Sequence, residues 1–327
     1  MKKISSIVAL SLLAITNGTV CLAADPTYHL IKEIPVPGKA QWDYLRIDSE
    51  AHRVYLSHGN QVEVIDVDKG AVVGTITDTP GVHGMALVPK LGRVFISNGQ
   101  ENTASIVDMK TLKTISKVST GANPDSILYE PTQNEVYTFN GKGKSATAFD
   151  PQSGKVIATI DLGGKPESAA TDGQAGRIYV NIEDKSEVAV IDIKTHKVVN
   201  RWPIAPGQTA SGMAIDLEHH RLFLGCDNKL MVMLDYTTGK VVSTVPIGAG
   251  VDANAFDPGT QLAFSSNGEA GNTTIAKETS PDKLTVVQTL KTVVGARTMT
   301  LDPVTHYIYL PAPTPSFRVL VYGMEKQ

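Results

Sequence analysis

Residues 177–192 read RIYVNIEDKSEVAVID, with apolar Ile178, Val180, Val188 and Val190 alternating with other residues on either side of a polar break. Alternation with a period of two around a turn-forming segment is the pattern of two short strands in a hairpin. It recurs as RVYLSHGNQVEVID (53–66), RVFISNGQENTASIVD (93–108), EVYTFNGKGKSATAFD (135–150) and RLFLGCDNKLMVMLD (221–235), with weaker copies beginning at Gln261 and Tyr307. The seven starts are separated by 40, 42, 42, 44, 40 and 46 residues. One small sheet cannot bury both faces until neighbours stack on it, so several strands per repeat at this period predict an all-β, seven-bladed β-propeller of four-stranded blades.

The segments flanking each hairpin supply the other two strands. An inner strand rich in small residues precedes it, as in HGMALV from His83, DSILYE from Asp125 and SGMAID from Ser211. An outer strand follows it, as in VVGTI (72–76), VIATI (156–160) and VVSTV (241–245), and Gly, Pro and Asn clusters at 120–124 and 163–166 lead to the next blade. Residues 28–38, YHLIKEIPVPG, match an outer strand with no hairpin before it, whereas RVLVYG (318–323) is a third strand without a fourth. The N-terminal strand is therefore expected to complete the last blade and remove the open sheet edges. One propeller domain is expected over residues 25–327.

The pairs RIYVN (177–181) with VAVID (188–192), and RVYL (53–56) with VID (64–66), resemble the YVTN family of seven-bladed β-propellers, the group that includes YncE-like periplasmic proteins. The resemblance covers essentially all of the chain after its first two dozen residues and implies the same fold. Blades six and seven depart from it: 272–283 lacks the Val-Ile-Asp ending, and Pro311, Pro313 and Pro315 interrupt the last hairpin. The family has no shared catalytic constellation, so the fold leaves function open.

Lys2 and Lys3, an apolar run over 4–15 and the small-residue exit Cys21-Leu22-Ala23-Ala24 mark residues 1–24 as a secretory signal. The expected location is periplasmic or secreted, without a membrane span or lipid anchor. Thirty Lys and Arg against 33 Asp and Glu give a net charge of -3, which becomes -5 without Lys2 and Lys3. No basic run remains, which disfavours nucleic acid, including the DNA binding that the family resemblance raises. Loss of Cys21 leaves Cys226 as the one cysteine, so no intramolecular disulfide forms and a large core must stabilise the ring.

Asp66, Asp108, Asp150, Asp192 and Asp235 stand at one place in five repeats, just before turns, where a short carboxylate accepts backbone N–H groups. They read as structural, as do the strand-starting Arg53, Arg93, Arg177 and Arg221, and His52, His220 and His306 read as solvated.

Aligning the repeats places one residue per blade at the start of the inner strand, around the channel mouth: Asp43, His83, Asp125, Glu167, Ser211, Asp252 and Arg297. Six of the seven are ionisable. Arg297 falls between Asp252 and, across the closure, Asp43, an acid-base-acid arrangement, whereas Asp125 and Glu167 are expected to lack such a partner. Carboxylates crowded in a partly buried channel raise a pKa or recruit a cation. The hairpin loops on the same face add His58, Asn98, Asn140, Cys226 and Asn267, with Cys226 read as a buried, inert thiol. His58 and His83 beside Asp125 and Glu167 form a candidate ligand set for a divalent metal such as zinc, copper, manganese or iron. Trp42 and Tyr44 flank Asp43 as a candidate aromatic wall. The plain alternative is a wet channel whose polar groups are simply solvated.

No Gly-x-Ser-x-Gly elbow, Cys-x-x-Cys-His haem attachment, Walker loop or dinucleotide fingerprint is present. The leading expectation is a non-enzymatic binding or scaffold propeller taking a small molecule, metal or protein partner at the mouth. The alternative is a metal-dependent hydrolase, lactonase or lyase using the same residues, and a third is a scaffold that recruits proteins on its outer surface.

Overall fold

The computed structural model describes residues 27–324, so the expected signal segment lies outside the described residues. Seven four-stranded antiparallel sheets follow one another around a common axis. Six are continuous in sequence, spanning 45–76, 82–119, 124–161, 166–203, 210–246 and 251–291. The seventh takes three strands from the C-terminal end and its outer strand, Tyr28–Pro35, from the N-terminal end. Ile34 lies opposite Val319 in that pairing and is fully buried.

The core lies between blades and not within them. Ile178 and Val180 of blade four pack with Tyr137 and Phe139 of blade three, while Tyr179, Val188 and Val190 pack with Leu222 and Leu224 of blade five. The two-residue alternation thus sorts side chains onto two faces, and both faces are covered. Only the outermost strands keep an exposed side: Ala71–Ile76 alternates between exposed and half-buried positions before the buried Ile76, while the middle of Arg53–His58 is wholly buried. Burial of apolar area on both faces of every middle strand is the main stabilising term, with no disulfide among the described residues.

The recurrent charges hold turns and edges. The Oδ1 of Asp150 accepts the N–H groups of Gln152 and Ser153, and that of Asp192 accepts the N–H of Thr195. Arg93 and Arg221 each reach the aspartate paired opposite them, Asp108 and Asp235, at 3.6 Å, and Arg177 contacts Asp192. Blade seven corrects one expectation. Pro311 lies inside the strand Tyr307–Ala312, opposite Val319, so it does not interrupt the hairpin.

Candidate functional site

The inner strands begin at Val82, Pro124, Pro166, Ala210 and Val251 in blades two to six, which makes His83, Asp125, Glu167, Ser211 and Asp252 the second residue of each. Asp43 and Arg297 fall just before the inner strands of blades one and seven. The blades fix these positions with a recurring latch. The Ser97 hydroxyl donates to the carbonyl of Asp125, that of Ser126 to Glu167, that of Ser266 to Arg297 and that of Thr298 to Asp43 at 2.7 Å. The Asn181 amide does the same for Ser211 at 3.1 Å. In each case a small polar side chain of one blade holds the backbone of the next blade's mouth residue. Sequence reasoning missed these residues, although the repeated Ser-Asn-Gly at 97–99 and 266–268 carried the signal.

The glycines of those triplets are needed for the same reason. A Cβ on Gly99 would stand 2.6 Å from Nε2 of His83, and one on Gly268 would stand 2.6 Å from Cβ of Arg297. The asparagines serve the hairpins instead: Asn98 donates to Ser105, Asn140 to Thr147 and Asn267 to Thr274.

At the mouth, Nδ1 of His83 lies 2.6 Å from Oδ2 of Asp43 and 3.7 Å from Oδ1 of Asp125. One ligand atom from each of these three residues falls within 4.8 Å of the others. Burial opposes charge on the His83 ring, but the hydrogen bond to Asp43 and the nearby Asp125, Asp43 and Glu167 outweigh it and raise its pKa. Arg297 completes the ring as the acid-base-acid arrangement required, with Nε 2.7 Å from Asp252 and a terminal nitrogen 3.8 Å from Asp43.

Two residues stand differently from the sequence reading. Glu167 does have a partner, Lys165, whose Nζ is 2.5 Å from Oε1 and also contacts Glu183. His58 turns away from the cluster: its Nδ1 is 3.1 Å from Glu63, its Nε2 is 2.8 Å from the carbonyl of Lys39, and its ring packs on Phe317. With both nitrogens engaged, His58 is not among the three clustered donors, and Glu167 lies outside them too.

The carboxylates are held in an unfavourable environment. Burial, followed by Asp43, pushes Asp252 up to about 6, and burial with Asp43 raises Asp125. Burial and then Asp125 raise Glu167. Tyr44 forms the floor beneath them and is buried, its hydroxyl raised by burial and by Asp125, Glu167, Asp43 and Asp252. Trp42 instead stacks on Phe317 at 5.4 Å and carries the Arg297 guanidinium 5.4 Å from its ring centre. A cavity of about 390 Å³ opens beside this pair, lined also by Asp252 and Glu269. A second cavity of about 310 Å³ lies in the channel beneath Tyr44, against Arg46, Met85, Met213 and Met299. Cys226 is buried, and burial pushes its thiol up to about 12, so it offers no thiolate at neutral pH.

Fold and site together define a seven-bladed propeller with a mixed acidic and basic ring at one mouth of its channel. Two solved structures share the fold. One is titled Kuenenia stuttgartiensis Hydrazine Synthase, with a TM-score of 0.74 and 14% identity over 88% of this chain and 97% of that one. The other is titled Crystal Structure of Mitotic Checkpoint Complex, with a TM-score of 0.79 and 14% identity over 98% and 99%. At that identity the likeness shows architecture alone. No family model and no curated protein matches this sequence. Among the described residues no helix is long and apolar enough to cross a membrane.

Proposed function

We propose that this is an exported binding propeller of the YVTN kind that takes a divalent transition-metal ion at its channel mouth, held by Asp43, His83 and Asp125. The observation that carries the reading is the approach of three ligand atoms from three consecutive blades to within 4.8 Å of one another. Two carboxylates and an imidazole suit a borderline divalent ion. Burial and mutual repulsion raise the carboxyls of Asp125, Glu167 and Asp252 even with Arg297 and Lys165 beside them, and a bound cation would favour their ionised form. The pocket against Trp42 and Arg297 lies beside this cluster and supplies an aromatic wall and a guanidinium for a small anionic ligand.

Calorimetry with zinc and manganese on the native protein and on Asp43→Asn with Asp125→Asn tests the site. At least a tenfold weakening in the double variant supports it, and equal binding overturns it.

A second reading, a metal-dependent hydrolase, lactonase or lyase, rests on Glu167. Its carboxyl, raised by burial and by Asp125, adjoins the cluster without belonging to the three donors and could serve as a general acid or base. Hydrolysis of lactone or ester probes that appears with added metal, vanishes with chelator and falls at least a hundredfold in Glu167→Gln would favour it. Activity unchanged in that variant would remove it. The acidic charge of the chain and the lack of a basic run argue against a nucleic-acid ligand.

A further inference from the structure

The far ends of the inner strands carry a second group of donors, away from the mouth. Asp216 ends the inner strand of blade five, Ala210–Asp216, and His219 stands in the turn that follows. Glu278 belongs to the strand Asn272–Ser280 of blade six. Nδ1 of His219 lies 2.8 Å from Oδ2 of Asp216 and 3.4 Å from Oε1 of Glu278, and one donor atom of each falls within 4.8 Å of the others.

Glu278 is the unusual member. Its residue is 5% exposed, both carboxylate oxygens are shut off from solvent, and neither accepts a well-aligned hydrogen bond, the nearest nitrogen being Nδ1 of His219 at 3.4 Å. Its backbone N–H is already spent on the carbonyl of Gln261. Asp216, 2% exposed, is by contrast partly occupied, since it accepts the N–H groups of Glu218 and His219. A buried carboxylate with no well-aligned donor costs several kcal/mol, by order of magnitude, unless a proton or a cation neutralises it. Donors on a tetrahedral ion with bonds of about 2.1 Å stand about 3.4 Å apart; His219 and Glu278 match that at 3.4 Å, while His219 and Asp216 are closer, at 2.8 Å.

We propose that Asp216, His219 and Glu278 form a structural site for a zinc-class divalent ion that ties blade five to blade six. The site is independent of the mouth cluster. His219, with 27% of its side chain exposed, is the open side through which the ion enters. The competing arrangement is a single proton shared by the two carboxylates. It is chemically reasonable because burial, followed by Asp216, pushes Glu278 up to about 7.

Zinc chloride titrated into the full chain at pH 7.5 distinguishes the two. In calorimetry, Glu278→Gln and His219→Ala should lose the same binding event, weakened at least tenfold, while Asp43→Asn with Asp125→Asn should keep it. Zinc should raise the melting temperature of the mouth variant, and that rise should disappear when Glu278→Gln is added to it. The His219 ring resonances of the native protein should shift with zinc, a readout that needs no substitution at the site. A binding profile unchanged in Glu278→Gln, or His219 resonances indifferent to zinc, overturns the proposal. A shared proton with no zinc-dependent stabilisation overturns it as well. Loss of the mouth event with this one intact would bear on the mouth alone.

Discussion

His83 and Asp43, forty residues apart, meet with Nδ1 2.6 Å from Oδ2 across the boundary between blades two and one. This contact holds one ring nitrogen toward the acidic cluster. If a cation takes that place, it competes with protons on the raised carboxylates and on His83, so its affinity should rise with pH. Between pH 5.5 and 8 the apparent zinc affinity at the mouth should increase at least tenfold. Calorimetry across that range checks it, and a flat profile would count against carboxylate and imidazole ligation.

Asp252 makes the opposite prediction for the metal-free fold. Its folded pKa, pushed up to about 6 from the ordinary 3.8, means that the folded chain holds this proton more tightly than the unfolded one. Its contribution to stability is therefore complete below about pH 4 and is lost as pH rises through about 6. Relative to Asp252→Asn, the native protein should lose on the order of 1–2 kcal/mol between pH 4 and 7.5, allowing for solvent screening. Urea unfolding of both proteins with chelator present reads this difference.

Arg297 competes with any bound cation because it pairs with Asp252 at 2.7 Å and approaches Asp43. Arg297→Ala should strengthen divalent binding roughly fivefold, or ~1 kcal/mol, by removing a like charge. The same substitution frees the Trp42 ring, so its emission should shift. Trp202 is the chain's other tryptophan, and a Trp202→Phe background isolates the signal.

Ring closure is tested at the N-terminal strand. Tyr28 packs edge-on against Phe264 at 5.2 Å, its hydroxyl donates to the carbonyl of His306 at 2.7 Å, and its backbone pairs with the Gln288 amide. Ile34→Ala should cost ~2–5 kcal/mol in denaturant unfolding. Deleting 28–35 exposes the edge of blade seven and should abolish a single cooperative transition.

Thiol chemistry gives a local probe of opening. Cys226 is fully buried and its sulfur faces the carbonyl of Leu224 at 3.7 Å. Peptide mapping after treatment with a thiol reagent should show Cys226 unmodified in the native protein and modified at the rate of global unfolding.

The repeat spacing and the two-residue alternation were enough to determine the number of blades, the four-strand pattern and the borrowed outer strand, because these depend on local periodicity and on covering every sheet edge. The residues at the inner-strand starts were legible for the same reason: equivalent positions in a ring face one axis. Their pairing was not. Whether His58 points at Asp125 or at Glu63, and whether Glu167 is bare or held by Lys165, depends on side-chain direction and on neighbours from other strands. The hydroxyl latches at Ser97, Ser126, Ser266 and Thr298 left only a partial trace, the repeated Ser-Asn-Gly at 97–99 and 266–268, since each joins two blades through a backbone carbonyl. Asp216 and His219 meet within one turn of blade five, whereas Glu278 joins them only when blade six packs against it. Periodicity along the chain determined which residues share a face; distance and burial, which exist only once the ring has closed, decided which of them interact.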